Sequence, residues 1–255
     1  MDKEFEGAVA LVTGGGIGLG KQIAVQFAKR GAAVVVAEIV EETGGATVDE
    51  IRAADGLALF VRADVSVDDD ARAMVEAAVR EFGRLDFAVN NAAIEGDVKP
   101  LTEQTLETFN RVVAINLAGV FHGLRHQIPV MVAQGGGAIV NVASIAGVRG
   151  HPGLAPYVAS KHGVNGLTKT AAIEYGHAGV RINSLCPGGI RTPQLDRYLE
   201  SAPELRAQII DNNPMRRLAD ADEMARAAIW LCSPQASYIN GHELVVDGGK
   251  IASDV

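Results

Sequence analysis

Short apolar runs alternate with longer amphipathic segments along the whole 255-residue chain. The runs are Ala8 to Val12, Ala33 to Ala37, Leu57 to Val61, Leu85 to Val89, Ala138 to Val142, Val180 to Leu185 and Glu243 to Val246. Almost unbroken by charge, they read as strands covered on both faces. Between them, Lys21 to Lys29, Val67 to Phe82, Glu103 to Val132, Tyr157 to Tyr175 and Asp222 to Leu231 carry a helical period. In the second of these, Met74, Val75, Ala78, Val79 and Phe82 form one apolar stripe. Parallel strands need crossovers, and the crossovers are right-handed, so the alternation predicts an α/β fold: a Rossmann-type, doubly wound parallel sheet with helices on both faces. No linker, repeat or low-complexity segment divides the chain, which predicts a single domain over 1–255. The one long irregular stretch, Pro187 to Pro214, carries four prolines and room for a short helix over 195–199. A loop of that length after a strand end predicts a substrate-binding loop or lid over 187–214.

Charge and cysteine content exclude other classes. With 31 acidic against 23 basic residues and no Lys/Arg run, the chain does not match a nucleic-acid or anionic-lipid binder. No apolar stretch approaches a membrane span, and residues 1–7 lack a signal core. Cys186 and Cys232 have no metal-ligand spacing and make no disulfide framework. A cytoplasmic, soluble protein is expected.

Immediately after the first run comes Thr13-Gly14-Gly15-Gly16-Ile17-Gly18-Leu19-Gly20, and then a helical segment. In a chain with 29 glycines the string alone carries little, but a strand, a glycine turn and a helix start together aim backbone N–H groups and a helix dipole at a pyrophosphate. The second strand ends at Glu38, 20 residues past Gly18. There a carboxylate accepts hydrogen bonds from the adenosine ribose, while a 2′-phosphate meets like charge and neither Ile17 nor Ile39 supplies a compensating cation. The expected cofactor is NAD(H), not NADP(H). Further on lie Asn116, Ser144 just after a strand, and Tyr157 and Lys161, four apart and hence on one helix face.

With these pieces, Asp64-Val65, N-N-A-A at 90–93, N-V-A-S at 141–144, Y-V-A-S-K at 157–161, P-G-G-I-R-T-P at 187–193 and D-G-G at 247–249, the chain resembles the short-chain dehydrogenase/reductase family over almost its full length. A-I-E-G at 93–96 and K-H-G-V-N-G-L-T-K at 161–169 look like its NAD-linked members acting on cyclic secondary alcohols or ketones. The resemblance implies a catalytic set of Asn116, Ser144, Tyr157 and Lys161. Tyr157 would be the acid/base, its pKa lowered by the Lys161 ammonium and the positive nicotinamide; Ser144 would bond the substrate oxygen, and Asn116 would anchor a water linking Lys161 to solvent for proton relay. Cofactor contacts are implied for Gly14, Ile17, Gly18, Gly20, Glu38, Asp64, Val65, Asn90, Ala92, Tyr157, Lys161, Pro187, Ile190 and Thr192. Asp64 and Val65 would hold adenine, Asn90 the adenosine side through its backbone, and Ile190 with Thr192 the carboxamide. A homotetramer through the Glu103 to Val132 and Tyr157 to Tyr175 helices is implied likewise.

The chain departs from the family pattern at Gly15 and Gly16, which suggest a looser loop, at Ala93 and Ala143, and at Glu38, one methylene longer than the commoner Asp. His151 and Leu154, between Ser144 and Tyr157, are expected to line a substrate pocket. His122 and His126 are four apart but lack a third ligand, so no metal is expected. The competing readings are an NADP-linked 3-ketoacyl-type reductase of the same fold, disfavoured by Glu38, and a non-catalytic NAD-sensing regulator, which has no need of the whole catalytic set.

Overall fold

The computed structural model describes residues 3–191 and 210–253. Its strands are β1 (Val9–Thr13), β2 (Ala33–Glu38), β3 (Ala58–Arg62), β4 (Phe87–Asn90), β5 (Gly137–Val142), β6 (Val180–Pro187) and β7 (Glu243–Val246). All pair in parallel in the order β3-β2-β1-β4-β5-β6-β7. Successive side chains of a strand leave on opposite faces, so Leu11 and Val12, adjacent in β1 and both without exposed surface, belong to two different cores. Leu11 packs with Val35, Ile139 and Ile182 beneath α3 (Asp68–Phe82), α5 (Gly119–Ala133) and α6 (Ala155–Tyr175). Val12 packs with Val36, Val140 and Leu185 beneath α1 (Gly18–Lys29), α2 (Glu41–Ala53) and a seventh helix, α7 (Ala221–Cys232). Each such side chain contributes about 1.5–3 kcal/mol by leaving water. The doubly wound sheet is therefore as the alternation predicts. Its strand order reverses between β1 and β4, which opens a crevice at their carboxyl ends.

Three expectations need correction. Helix α2 escapes the periodicity because Gly44 and Gly45 interrupt it; a Cβ on Gly44 would lie 2.3 Å from the Phe60 ring, so the glycine serves close packing on β3. The stretch from Glu103 to Val132 is not one helix. Thr105 Oγ1 accepts from the Thr108 N–H at 3.1 Å and starts α4 (Leu106–Val113), and a π turn, Ala114–Ala118, separates it from α5. Val79 leaves the α3 stripe and stands in solvent, while Met74, Val75 and Ala78 are buried. Thr192 and the short helix expected over 195–199 lie outside the described residues. No described helix is long and apolar enough to cross a membrane.

Candidate active site

The crevice is a cleft of about 650 Å³. Its glycine wall is set by the main chain. Gly14 (φ +61°) and Gly18 (φ +55°) adopt the left-handed conformation that disfavours other residues. A Cβ on Gly18 would meet nothing within 4 Å, so the opening of α1 faces free space. No side chain caps that helix, and no acid sits in its first turn. Gly20 plays a different part: a Cβ there would lie 2.1 Å from the Gly14 carbonyl oxygen, so it packs helix against loop and does not line the cleft. Opposite, Thr13 Oγ1 accepts from the N–H groups of Asn91 (2.9 Å) and Ala92 (3.1 Å), while Asn91 Nδ2 donates to the Thr13 carbonyl at 3.0 Å. Those bonds tie the carboxyl ends of β1 and β4 into one floor.

Gly14, Ile17, Gly18, Glu38, Asp64, Val65 and Ala92 all line this cleft. Asn90, expected to meet the adenosine side through its backbone, has its side chain locked in the core, donating to Gln127 Oε1 (3.1 Å) and Asn141 Oδ1 (2.9 Å) and accepting from Gln127 Nε2 (2.8 Å), while its neighbour Asn91 lines the cleft. Arg111 and Ile115 also line the cleft and carried no local signal. Pro187 closes β6 in the core, and Ile190 bridges to Ala219. Asp64 Oδ1 accepts from the N–H (2.9 Å) and hydroxyl (2.7 Å) of Ser66, which orients the carboxylate at the cleft edge.

The dinucleotide implied by the sequence fits this surface. An uncapped helix start, a Cβ-free path in front of Gly18 and a carboxylate at the end of β2 are the donor, the space and the acceptor that a pyrophosphate and a ribose require.

The catalytic candidates converge from separate elements. Ser144 follows β5, its Oγ accepting from the Ala146 N–H at 3.1 Å and standing beside Tyr157. Tyr157 stands in the first turn of α6, and Lys161 one turn later. Lys161 is 2% exposed; Nζ donates to the Val142 carbonyl at 2.7 Å and lies 5.5 Å from the centre of the Tyr157 ring. Burial lowers the Lys161 pKa to about 8. In the free protein burial raises the Tyr157 pKa above its ordinary value, against the influence of Ser144, with Glu95 adding to the rise. The lowering expected from Lys161 together with the positive nicotinamide belongs to the cofactor-bound site.

Asn116 sits in the π turn, fully buried. Its Oδ1 accepts from the Ile94 N–H (2.8 Å), and Nδ2 donates to the Ile94 carbonyl (2.8 Å) and Ser160 Oγ (3.2 Å). Ser160 in turn donates to the Tyr157 carbonyl at 2.7 Å. Asn116 therefore fastens the 94 segment to the catalytic helix, and with both amide hydrogens committed it offers a relay water only acceptor positions.

His151 is exposed, and Leu154 is buried at the start of α6; neither lines the cleft. The i, i+4 histidines brace the adenosine side: His122 Nδ1 pairs with the Val65 carbonyl at 3.0 Å and His126 Nε2 with Asp68 at 2.9 Å. Among the described residues no three His, Cys, Asp or Glu gather as a metal site, and Cys186 and Cys232 are free and buried.

The chain is similar to known proteins in sequence and fold. A family model described as enoyl-(acyl carrier protein) reductase matches residues 15–250. The chain is 43% identical to a cyclohexanol dehydrogenase of Acinetobacter sp. (strain SE19), over 97% of this chain and 96% of that one. The chain belongs to the short-chain dehydrogenase/reductase family. As such it is an oxidoreductase. The crystal structure of levodione reductase superposes with a TM-score of 0.92 at 40% identity, covering 98% of this chain and 99% of that chain. An NAD+-bound xylitol dehydrogenase does so with a TM-score of 0.93 at 32% identity, covering 96% and 100%. In this short-chain dehydrogenase/reductase the cofactor cleft opens at the carboxyl ends of β1 to β4, and Ser144 follows the carboxyl end of β5 in the same parallel sheet.

Proposed function

We propose that this enzyme interconverts a cyclic secondary alcohol and its ketone with NAD(H), using Tyr157 as acid/base. The observation that carries the reading is the convergence of a half-buried tyrosine beside Ser144 with a buried lysine one turn away on the same helix. Relatives named for cyclohexanol and levodione support the substrate class, and NAD(H)-bound structural neighbours support the cofactor. Glu38 supports NAD over NADP, since its carboxylate lines the cleft where a 2′-phosphate would meet like charge.

When bound, the nicotinamide takes up or returns the hydride. Ser144 Oγ holds the substrate oxygen beside the Tyr157 hydroxyl, so that proton transfer needs no further motion. Tyr157 gives its proton to the nascent alkoxide in reduction and takes it back in oxidation. Because burial keeps Tyr157 protonated above its ordinary range, the site of the free protein is poised as a proton donor at neutral pH, and alcohol oxidation gains rate as pH rises. Gly14, Ile17, Gly18 and Ala92 hold the pyrophosphate and adenosine side, and Asp64 and Val65 hold adenine. The segment 187–214, with Ile190 and Thr192, closes over the nicotinamide and substrate, and a homotetramer forms through α5 and α6.

Initial rates with NAD and NADP on cyclohexanol, acyclic secondary alcohols and primary alcohols test this reading. NAD-linked turnover favouring the cyclic secondary alcohol is expected. Preference for NADP, or no turnover of secondary alcohols, ends it.

A further inference from the structure

The expected looseness of the glycine loop at Gly15 and Gly16 is not what the structure shows. Gly16 is buried, and its backbone is held on both sides: the N–H donates to Glu38 Oε2 at 3.1 Å, and the carbonyl accepts from Thr47 Oγ1 of α2 at 3.1 Å. The neighbouring Gly15 N–H donates to the Ala37 carbonyl at 3.3 Å. Glu38 is curled back by the same contacts. Its other oxygen, Oε1, accepts from the N–H groups of Ile39 (2.9 Å) and Val40 (3.3 Å). The carboxylate is thus gripped by three main-chain donors while still lining the cleft.

Gly16 is not in the left-handed region, so its backbone would accept alanine. What opposes a side chain is Thr43 together with Glu38. A Cβ at residue 16 would lie 2.6 Å from Thr43 Oγ1, 2.9 Å from Glu38 Cγ and 3.0 Å from Glu38 Oε2. With the loop anchored by Thr47 and Ala37, the movable partners are the Thr43 hydroxyl and the Glu38 side chain, and Glu38 would leave its seat.

We propose that Gly16 is a specificity-determining residue: by carrying no side chain it seats the longer Glu38 carboxylate at the ribose end of the cleft, so that residues 16 and 38 set dinucleotide choice as a pair. The proposal rests on the NAD reading above and deepens it. Its signature is non-additivity. Glu38→Asp withdraws the carboxylate from the Gly16 N–H and weakens binding, and once the carboxylate is withdrawn Gly16→Ala has no seat left to disturb.

The test measures binding of AMP and 2′,5′-ADP by titration calorimetry, and kcat/KM for NAD and NADP, in the wild type, Gly16→Ala, Glu38→Asp and the double variant. Gly16→Ala and Glu38→Asp should each lose about tenfold in AMP affinity and in the NAD/NADP ratio, and the double variant should lose little more than either alone. Unchanged AMP affinity in Gly16→Ala, or losses that add in the double variant, overturns the proposal. Should Gly16→Ala not fold, the same cycle in a Thr43→Ala background decides, since a Cβ at residue 16 then meets Glu38 alone: non-additive losses support the pairing, and additive or absent losses overturn it. A wild type that binds 2′,5′-ADP more tightly than AMP and prefers NADP refutes the NAD reading instead. The non-additivity is measured with AMP alone, so the two failures are separable.

Discussion

At the adenosine end of the cleft, position is fixed by main chain. Gly14 and Gly18 take conformations that favour glycine, Thr13 holds the N–H groups of Asn91 and Ala92, and three backbone donors hold Glu38. At the catalytic end, side chains are held by distant parts of the sequence: Lys161 bonds the Val142 carbonyl, and Asn116 reaches Ile94 and Ser160. The contrast follows from the tasks. Binding a pyrophosphate and a ribose needs donors and one acceptor in fixed places, which backbone supplies directly. Proton transfer needs titratable groups with displaced pKa values, which only burial among packed elements supplies.

That contrast predicts that changes at the catalytic end strike turnover and changes at the adenosine end strike affinity. Tyr157→Phe removes only the phenolic oxygen and should lower kcat by about a thousandfold or more, with NADH binding retained by fluorescence titration; comparable turnover would break the assignment. Ser144→Ala should cost about a hundredfold in kcat, since one hydrogen bond to the substrate oxygen is lost and the acid/base remains. A change confined to KM would place Ser144 outside the chemistry.

Lys161 provides a test without substrate. The unfolded chain holds its ammonium proton up to the ordinary value of 10.5, whereas the folded protein gives it up at about 8. Between those values the unfolded state binds more protons, so this group adds stability as pH rises through the window and costs stability below it. Denaturant unfolding should therefore show wild type gaining up to about 3 kcal/mol on Lys161→Met between pH 8 and 10. A parallel dependence in the two proteins would mean that Lys161 is not buried as its contacts indicate. The smallest effect belongs to the adenosine end: Glu38→Ala should narrow the NAD/NADP ratio of kcat/KM by about tenfold, mainly through KM. A fall in kcat of similar size would erase the division between the two ends.

The glycine turn, Glu38, and the Ser144, Tyr157 and Lys161 spacing were legible because each depends on a local rule: a strand followed by glycines, a strand-end carboxylate, two side chains a helical turn apart. Asn90 and Asn91 were not distinguishable, because which of two adjacent asparagines faces the core depends on whether Gln127 and Asn141 wait on that side. The two glycines in α2 hid a helix whose stability comes from packing on β3. Gly20 reads as a phosphate contact in the string, yet its lack of a side chain is required by the Gly14 carbonyl.

By itself the sequence determined the parallel α/β sheet, since hydrophobic period and turn residues act over short range, and it determined which side chains carry the chemistry. Only the tertiary structure decided their protonation and their partners. Partial burial of Tyr157, full burial of Lys161, the engagement of Lys161 by Val142, and the bond from the Gly16 N–H to Glu38 all arise from segments far apart in the chain. Desolvation and hydrogen bonding act through space, and neither is written in the spacing of residues.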